Sequence, residues 1–281
     1  MLFTSCRTTT VRLSLVFLCA FLSHTTFSKI VPKTEHWIII HGTFARSIPF
    51  IKWWKKGGDG YQALSQALSH KKESIVIHAF GWTGHNNHQA RKDAARQLVK
   101  LAQTYLTDSS HSLHIVAHSH GGTVALLAAQ MLAEQKSHLK IAQLFNLGTP
   151  VHAQWYPQAF SIIQTTYHLF SYGDMVQPVI TMFERTLPAA QHIYNLQVKK
   201  DYGCPWHETL RSAELISQLP TLSALITEPG EYCLHLDTKS KTSPFFTISK
   251  DLTRAQDLEI DHAAIKQILT LYAESRKRST L

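Results

Sequence analysis

Charge is scarce in this chain, and acid is scarcer than base. Of 281 residues, 17% are charged, with 19 Asp and Glu against 28 Lys and Arg. The excess of +9 is scattered over short pairs such as Lys55-Lys56, Lys71-Lys72 and Lys199-Lys200, with a basic tail at Arg276-Lys277-Arg278. No basic stripe interleaves with aromatics, so a nucleic-acid partner has no footprint. Peripheral attraction to an anionic membrane surface is the better use of the charge. No apolar run approaches the ~20 residues of a membrane span, and there is no internal repeat or low-complexity linker. The phosphate-loop pattern Gly-x-x-x-x-Gly-Lys-Ser/Thr and the Rossmann glycine spacing are both missing. His, Cys and carboxylates form no cluster with metal-ligand spacing. Neither a metal nor an organic cofactor is expected.

Cysteine is equally sparse, with four residues, Cys6, Cys19, Cys204 and Cys233. The first two fall in a segment with the layout of a secretory leader: Arg7 and Arg12 without an acid, an apolar core over 13–22, then small polar residues to Ser28. The expected organisation is therefore a leader over 1–28 and one domain over 29–281, exported to the periplasm or beyond, with an extension from about residue 220. Export leaves two cysteines, and Cys204-Cys233 is a candidate disulfide; two separately buried thiols account for the count equally well.

Along the rest of the chain, short β-branched runs alternate with helical periods. Strands are expected at 37–40, 74–80, around Ile115, at 141–147, 167–171 and 191–198. Helices are expected at 61–68, 88–106 and 205–219, and after Ser119 to about Glu134. Segments 231–236 and 244–248 have the character of a hairpin or edge strands, and 261–275 of a last helix. Strands of four to seven residues separated by helices predict βαβ units, hence an α/β fold with a mostly parallel sheet and helices on both faces.

The chemistry concentrates at Ile115-Val116-Ala117-His118-Ser119-His120-Gly121-Gly122. A buried-type strand meets one serine, two glycines follow, and a small-residue helix begins. That is the make-up of a nucleophile elbow, a tight strand-to-helix turn that presents Ser119 Oγ to a pocket. A serine hydroxyl needs an imidazole to take its proton and a carboxylate to fix the imidazole. In parallel sheets such groups follow the carboxyl ends of strands. Asp174 follows the strand at 167–171, and His207 follows the one at 191–198. His262, before the last helix, is the alternative base. His118 and His120 flank the serine and are expected to line the pocket.

These residues, in the order Ser119, Asp174, His207, resemble the α/β-hydrolase superfamily, and within it the lipase-like serine esterases. The resemblance runs from about Trp37 to Leu219. The family pattern Gly-x-Ser-x-Gly appears with Ala117 in place of the first glycine. Ser171-Tyr172-Gly173-Asp174-Met175-Val176-Gln177-Pro178 is similar to the family's acid loop, and His41-Gly42-Thr43-Phe44 to its His-Gly motif. The resemblance implies an oxyanion hole from the His120 amide and that of Thr43 or Phe44, with Phe44 favoured and Gly42 shaping the backbone. It implies hydrolysis of carboxylic esters, small or lipid-like, through an acyl-enzyme. An amidase, thioesterase or acyltransferase with the same triad, and a non-enzymatic envelope binding protein on this scaffold, are the competing readings. The aromatic segment with Trp53 and Trp54 is open to two roles, a lid or pocket wall and plain packing over the first helices. Trp155 is a second pocket-wall candidate.

Overall fold

The structure is a computed structural model that describes residues 33–46, 52–71, 73–106, 110–150, 156–174, 176, 186–188, 190, 192–200, 206–226, 228–236 and 246–249. The leader, Trp155, Cys204, His262 and the last helix lie outside the described residues, and with them the proposed Cys204-Cys233 pairing.

Eight strands form one sheet in the order β2-β1-β3-β4-β5-β6-β7-β8. They are β1 (Thr34–Ile40), β2 (Ser74–Phe80), β3 (His111–His118), β4 (Ile141–Leu147), β5 (Thr166–Phe170), β6 (Ile193–Lys200), β7 (Gly230–Leu236) and β8 (Phe246–Ser249). Strands β1 to β7 pair in parallel, and β8 runs antiparallel to β7. The helices are α1 (Asp59–Leu68), α2 (His88–Tyr105), α3 (His120–Glu134), α4 (Ala159–Ile162) and α5 (Ala213–Leu225).

Alternation along β1 shows how the layers are filled. Trp37 and Ile39 enter the layer of α1 and α5, while Ile38 and Ile40 enter that of α2 and α3. All four are fully buried, and each isoleucine contributes about 1.5–3 kcal/mol by leaving water. At the foot of β1, Glu35 is buried and accepts from Lys71 Nζ at 2.8 Å and Trp37 Nε1 at 3.1 Å.

Helix α3 is apolar on nearly every side, which suits its place in the core. Helix α2 is amphipathic and opens on Asn87, whose side chain accepts from the Ala90 amide at 2.7 Å. The expected helix over 205–219 is divided: a 3₁₀ turn covers His207–Arg211, and α5 begins only at Ala213. Ser212 is the cause, since it adopts an extended conformation and its hydroxyl caps the Leu215 amide at 3.3 Å. The helix then runs through Pro220, past the expected end. Sequence reasoning also missed the single turn α4.

The chain leaves β1 toward β2 on one side and returns to β3 on the other. That reversal opens a crevice above the carboxyl ends of β1 and β3, the usual place for a ligand in such sheets. Gly121, in the first turn of α3, lies close against the end of β1. A Cβ there would lie 2.7 Å from the His41 carbonyl oxygen and 2.8 Å from that of Ile40. Both obstacles are backbone and cannot yield cheaply. Gly121→Ala is expected to destabilise the protein by about 1–3 kcal/mol or more, read as a lowered thermal unfolding midpoint; an unchanged midpoint would show that α3 can shift freely.

Candidate active site

Ser119 sits between the end of β3 and the start of α3 with φ 53° and ψ −135°. Non-glycine residues hold positive φ only where their surroundings enforce it. Here the Ser119 amide donates to the Leu147 carbonyl at 2.9 Å, and its own carbonyl accepts from the Gly122 amide at 2.9 Å. The neighbouring strand and the first turn of the helix together lock the turn.

Asp174 and His207 arrive from the ends of β5 and β6. His207 Nδ1 donates to Asp174 Oδ2 at 2.7 Å, with the carboxylate fully buried and the imidazole nearly so. That bond leaves Nε2 as the acceptor of the neutral ring. Burial pulls the basicity of His207 down, but the Asp174 charge and hydrogen bond outweigh it, and the pKa ends above 6.5. Gly148, with φ +59°, makes room for the pair: a Cβ there would lie 3.0 Å from His207 Nδ1 and 3.1 Å from Asp174 Oδ2. This role escaped the sequence reading, although Gly148-Thr149-Pro150 directly after a strand was its signal.

His118 is completely enclosed. Its Nε2–H donates to the His207 carbonyl at 3.1 Å, and the two rings lie 4.5 Å apart. His120 Nδ1 bonds Thr123 Oγ1 at 3.2 Å, and that hydroxyl donates to the Pro150 carbonyl at 3.4 Å. Burial keeps both rings neutral, with His118 well below the ordinary value and His120 at about 3.

The loop after β1 departs from expectation. The Phe44 amide, the favoured second oxyanion donor, donates instead to the Gly84 carbonyl at 2.9 Å, with Phe44 at φ 61°. His41 determines the rest of the loop. It is fully buried, its Nδ1–H donates to the Gly42 carbonyl at 2.7 Å, and its Nε2 accepts from the Trp82 amide at 3.3 Å. Burial lowers its pKa to about 4, so this neutral arrangement persists. In a trans peptide the N–H points opposite to the carbonyl. Holding the Gly42 carbonyl toward His41 therefore sends the Thr43 N–H to the other side. Gly42 itself stands against the serine, where a Cβ would lie 2.7 Å from Ser119 Cβ and 3.3 Å from Oγ.

Trp53 and Trp54 are core residues, 2% and 1% exposed, rather than a lid. Trp54 packs on His41 with ring centroids 4.1 Å apart, and Trp53 meets His118 edge-on at 6.0 Å. They support the site from below. A cleft of about 500 Å³ beside β2, lined by Tyr61, His78, Gln97 and Tyr105 among others, includes none of the residues around Ser119. Among the described residues, no group of three or more His, Cys, Asp or Glu is arranged to hold a metal ion.

The parallel sheet with its reversal between β1 and β3, and the turn at Ser119, have the architecture of the α/β-hydrolase fold. Residues 51–182 match the family described as Lipase (class 3), just under half of the chain. That stretch contains Ser119 and Asp174 and ends before His207. Over that stretch the chain is similar to class 3 lipases, and its sheet has the strand order of the α/β-hydrolase fold. No curated protein matches the chain. Among solved structures it is similar to Bacillus licheniformis lipase BlEst2 in mature form, at 13% identity over 70% of this chain and 92% of that one, TM-score 0.40. A cutinase-like protein from Cryptococcus sp. shares 10% identity over 70% and 95%, TM-score 0.39. An alpha-beta serine hydrolase homologue from Coxiella burnetii shares 14% over 75% and 78%, TM-score 0.32.

An NMR titration of the histidine rings checks the electrostatics. His207 is expected to take its proton above pH 6.5, the ordinary value. In Asp174→Asn the attraction is gone and burial acts alone, so the midpoint should fall below that value. A midpoint that does not move would separate the carboxylate from the basicity of His207.

Proposed function

We propose that the protein cleaves carboxylic esters through a covalent acyl-enzyme on Ser119, with His207 as base and Asp174 as the residue that orients it. The observation that carries this reading is the buried 2.7 Å bond between His207 and Asp174, at the same end of the sheet as the strained Ser119 turn. In the first half-reaction Ser119 Oγ attacks the ester carbonyl carbon while His207 Nε2 accepts the serine proton. The tetrahedral oxyanion is held by the amides of His120, at the first position of α3, and Thr43, whose N–H the His41 bond directs away from the Gly42 carbonyl. Two such donors contribute roughly 3–4 kcal/mol each to the transition state. Collapse breaks the carbon–oxygen bond, and the alcohol departs with the proton from His207. Water then gives a proton to His207 and attacks the acyl carbon, and the acid leaves as the serine recovers its proton.

An apolar acyl group is favoured by Trp206, 40% exposed directly before the base, which offers an amphipathic ring at the rim. Export and peripheral contact with a membrane surface fit this setting and rest on the first 28 residues and the net charge. Amide and thioester substrates share every step up to the leaving group, so paired ester, amide and thioester substrates of one acyl chain decide between them.

Labelling with a fluorophosphonate is expected in the wild type and absent in Ser119→Ala. His207→Ala should lower turnover of p-nitrophenyl butyrate by roughly a thousandfold or more, whereas His262→Ala should leave most of it. Undiminished labelling of Ser119→Ala would overturn the assignment, and the reverse ranking of the two histidines would move the base. Because His207 must be neutral to act, kcat/KM should rise with pH through a midpoint above 6.5.

A further inference from the structure

One half-buried positive charge has no counterion among the described residues. Arg91, in the opening turns of α2, is half-buried, and its Nε is sealed from solvent with no hydrogen-bond partner. Among the described residues its one side-chain bond is from Nη1 to the neutral Asn86 Oδ1 at 3.1 Å. Among the described residues the Lys and Arg ion pairs are Lys71–Glu35, Arg96–Asp93 and Arg211–Glu208, and Arg91 is in none of them. A guanidinium withdrawn from water without an anion is costly, and burial correspondingly weakens its hold on its proton. The surroundings add to that cost. The opening turns of α2 carry His88, Arg91 and Lys92 with no acid in the first turn, at the helix end where positive charge is least welcome.

This charge is on the side of the molecule where the chemistry is. Helix α2 packs along α3, and both begin at the carboxyl end of the sheet. After burial, the Arg91 charge is the next influence that suppresses protonation of His120, the residue following the serine, with His207 behind it. Tyr156, the other group in its field, cannot neutralise it. Burial pushes that phenol up to about 12, so it carries no charge at any ordinary pH. The loop that supplies Asn86 also supplies Trp82 to His41 and the Gly84 carbonyl to Phe44, so Arg91 is tied to the same frame as the oxyanion loop.

We propose that Arg91 is a substrate-recognition residue whose guanidinium takes a phosphate or carboxylate carried by the ester near the bond that is cut. A planar guanidinium is the side chain best shaped to take either oxyanion through paired N–H donors. The favoured substrate is thus an anionic acyl ester rather than a neutral one. This inference rests on the ester-hydrolase reading, and the experiment separates the two.

Three esters with one octanoyl chain serve as probes: octanoylglycerol, octanoylglycerol phosphate and octanoylglycerate. The measurement is the ratio of kcat/KM for each anionic ester to that for the neutral one, in the wild type, Arg91→Gln and Arg91→Lys. The wild type is expected to prefer at least one anion by roughly ten- to a hundredfold, with the preference weakening as salt is added. Arg91→Gln should bring that ratio close to one, and Arg91→Lys should keep part of it. Preference for the phosphate identifies a phosphate-bearing substrate, and preference for the glycerate a carboxylate-bearing one; either supports the proposal. A wild type that hydrolyses the neutral ester without favouring an anion, or a preference that survives in Arg91→Gln, overturns the proposal and leaves the ester reading standing. Failure to hydrolyse any of the three would overturn both. Should Arg91→Gln not fold, the wild type alone still decides: glycerol phosphate or glycerate should inhibit neutral-ester hydrolysis competitively, and no inhibition by either overturns the proposal.

Discussion

Everything at the centre of this protein depends on how closely the first turn of α3 approaches the end of β1. A Cβ on Gly121 would collide with the carbonyls of Ile40 and His41, and one on Gly42 with Ser119. Those two missing side chains let a helix and a strand meet backbone to backbone. The contact keeps Ser119 in a conformation with φ 53° that an isolated peptide would avoid. Strain in the turn is therefore maintained by the core, through the fully buried β1 and the apolar α3, and not by the turn itself.

Around that contact the remaining groups are held by bonds to backbone more than to one another. His118 fastens the His207 carbonyl, His41 the Gly42 carbonyl, and the His120–Thr123 pair the Pro150 carbonyl. Each of these side chains fixes the course of a loop, while Asp174–His207 is the bond that alters a proton affinity. The two kinds of interaction are separable in principle, because one sets positions and the other sets chemistry.

Much of this was legible in the sequence. The alternation of short β-branched runs with helical periods suffices for the parallel sheet, because both faces of such strands must be apolar. Ser119, Asp174 and His207 could be located because each lies within a few residues of the carboxyl end of a strand. What escaped is what depends on peptide orientation or on packing from distant segments. Nothing in Thr43-Phe44 reveals that the Phe44 amide is drawn to Gly84, since that bond joins loops 40 residues apart in the chain. The composition around Trp53 and Trp54 suited a lid and plain packing equally, and only the tertiary fold puts them against His41 and His118. Ser212 was a readable cap, but an apolar period running across it concealed the break between the 3₁₀ turn and α5. Arg91 carries no signal in the sequence, because its lack of an ion pair among the described residues is visible only in three dimensions.

The burial of the histidines has a wider consequence. The chain has 18 of them, enough in principle to blur any acid–base behaviour into a broad sum of overlapping ionisations. Yet His41, His118 and His120, the three that crowd the serine, are each held neutral far below neutral pH. Their rings contribute shape and dipoles while staying electrically silent. In a protein so rich in imidazole, His207 is the one ring beside the serine whose proton affinity is raised rather than lowered.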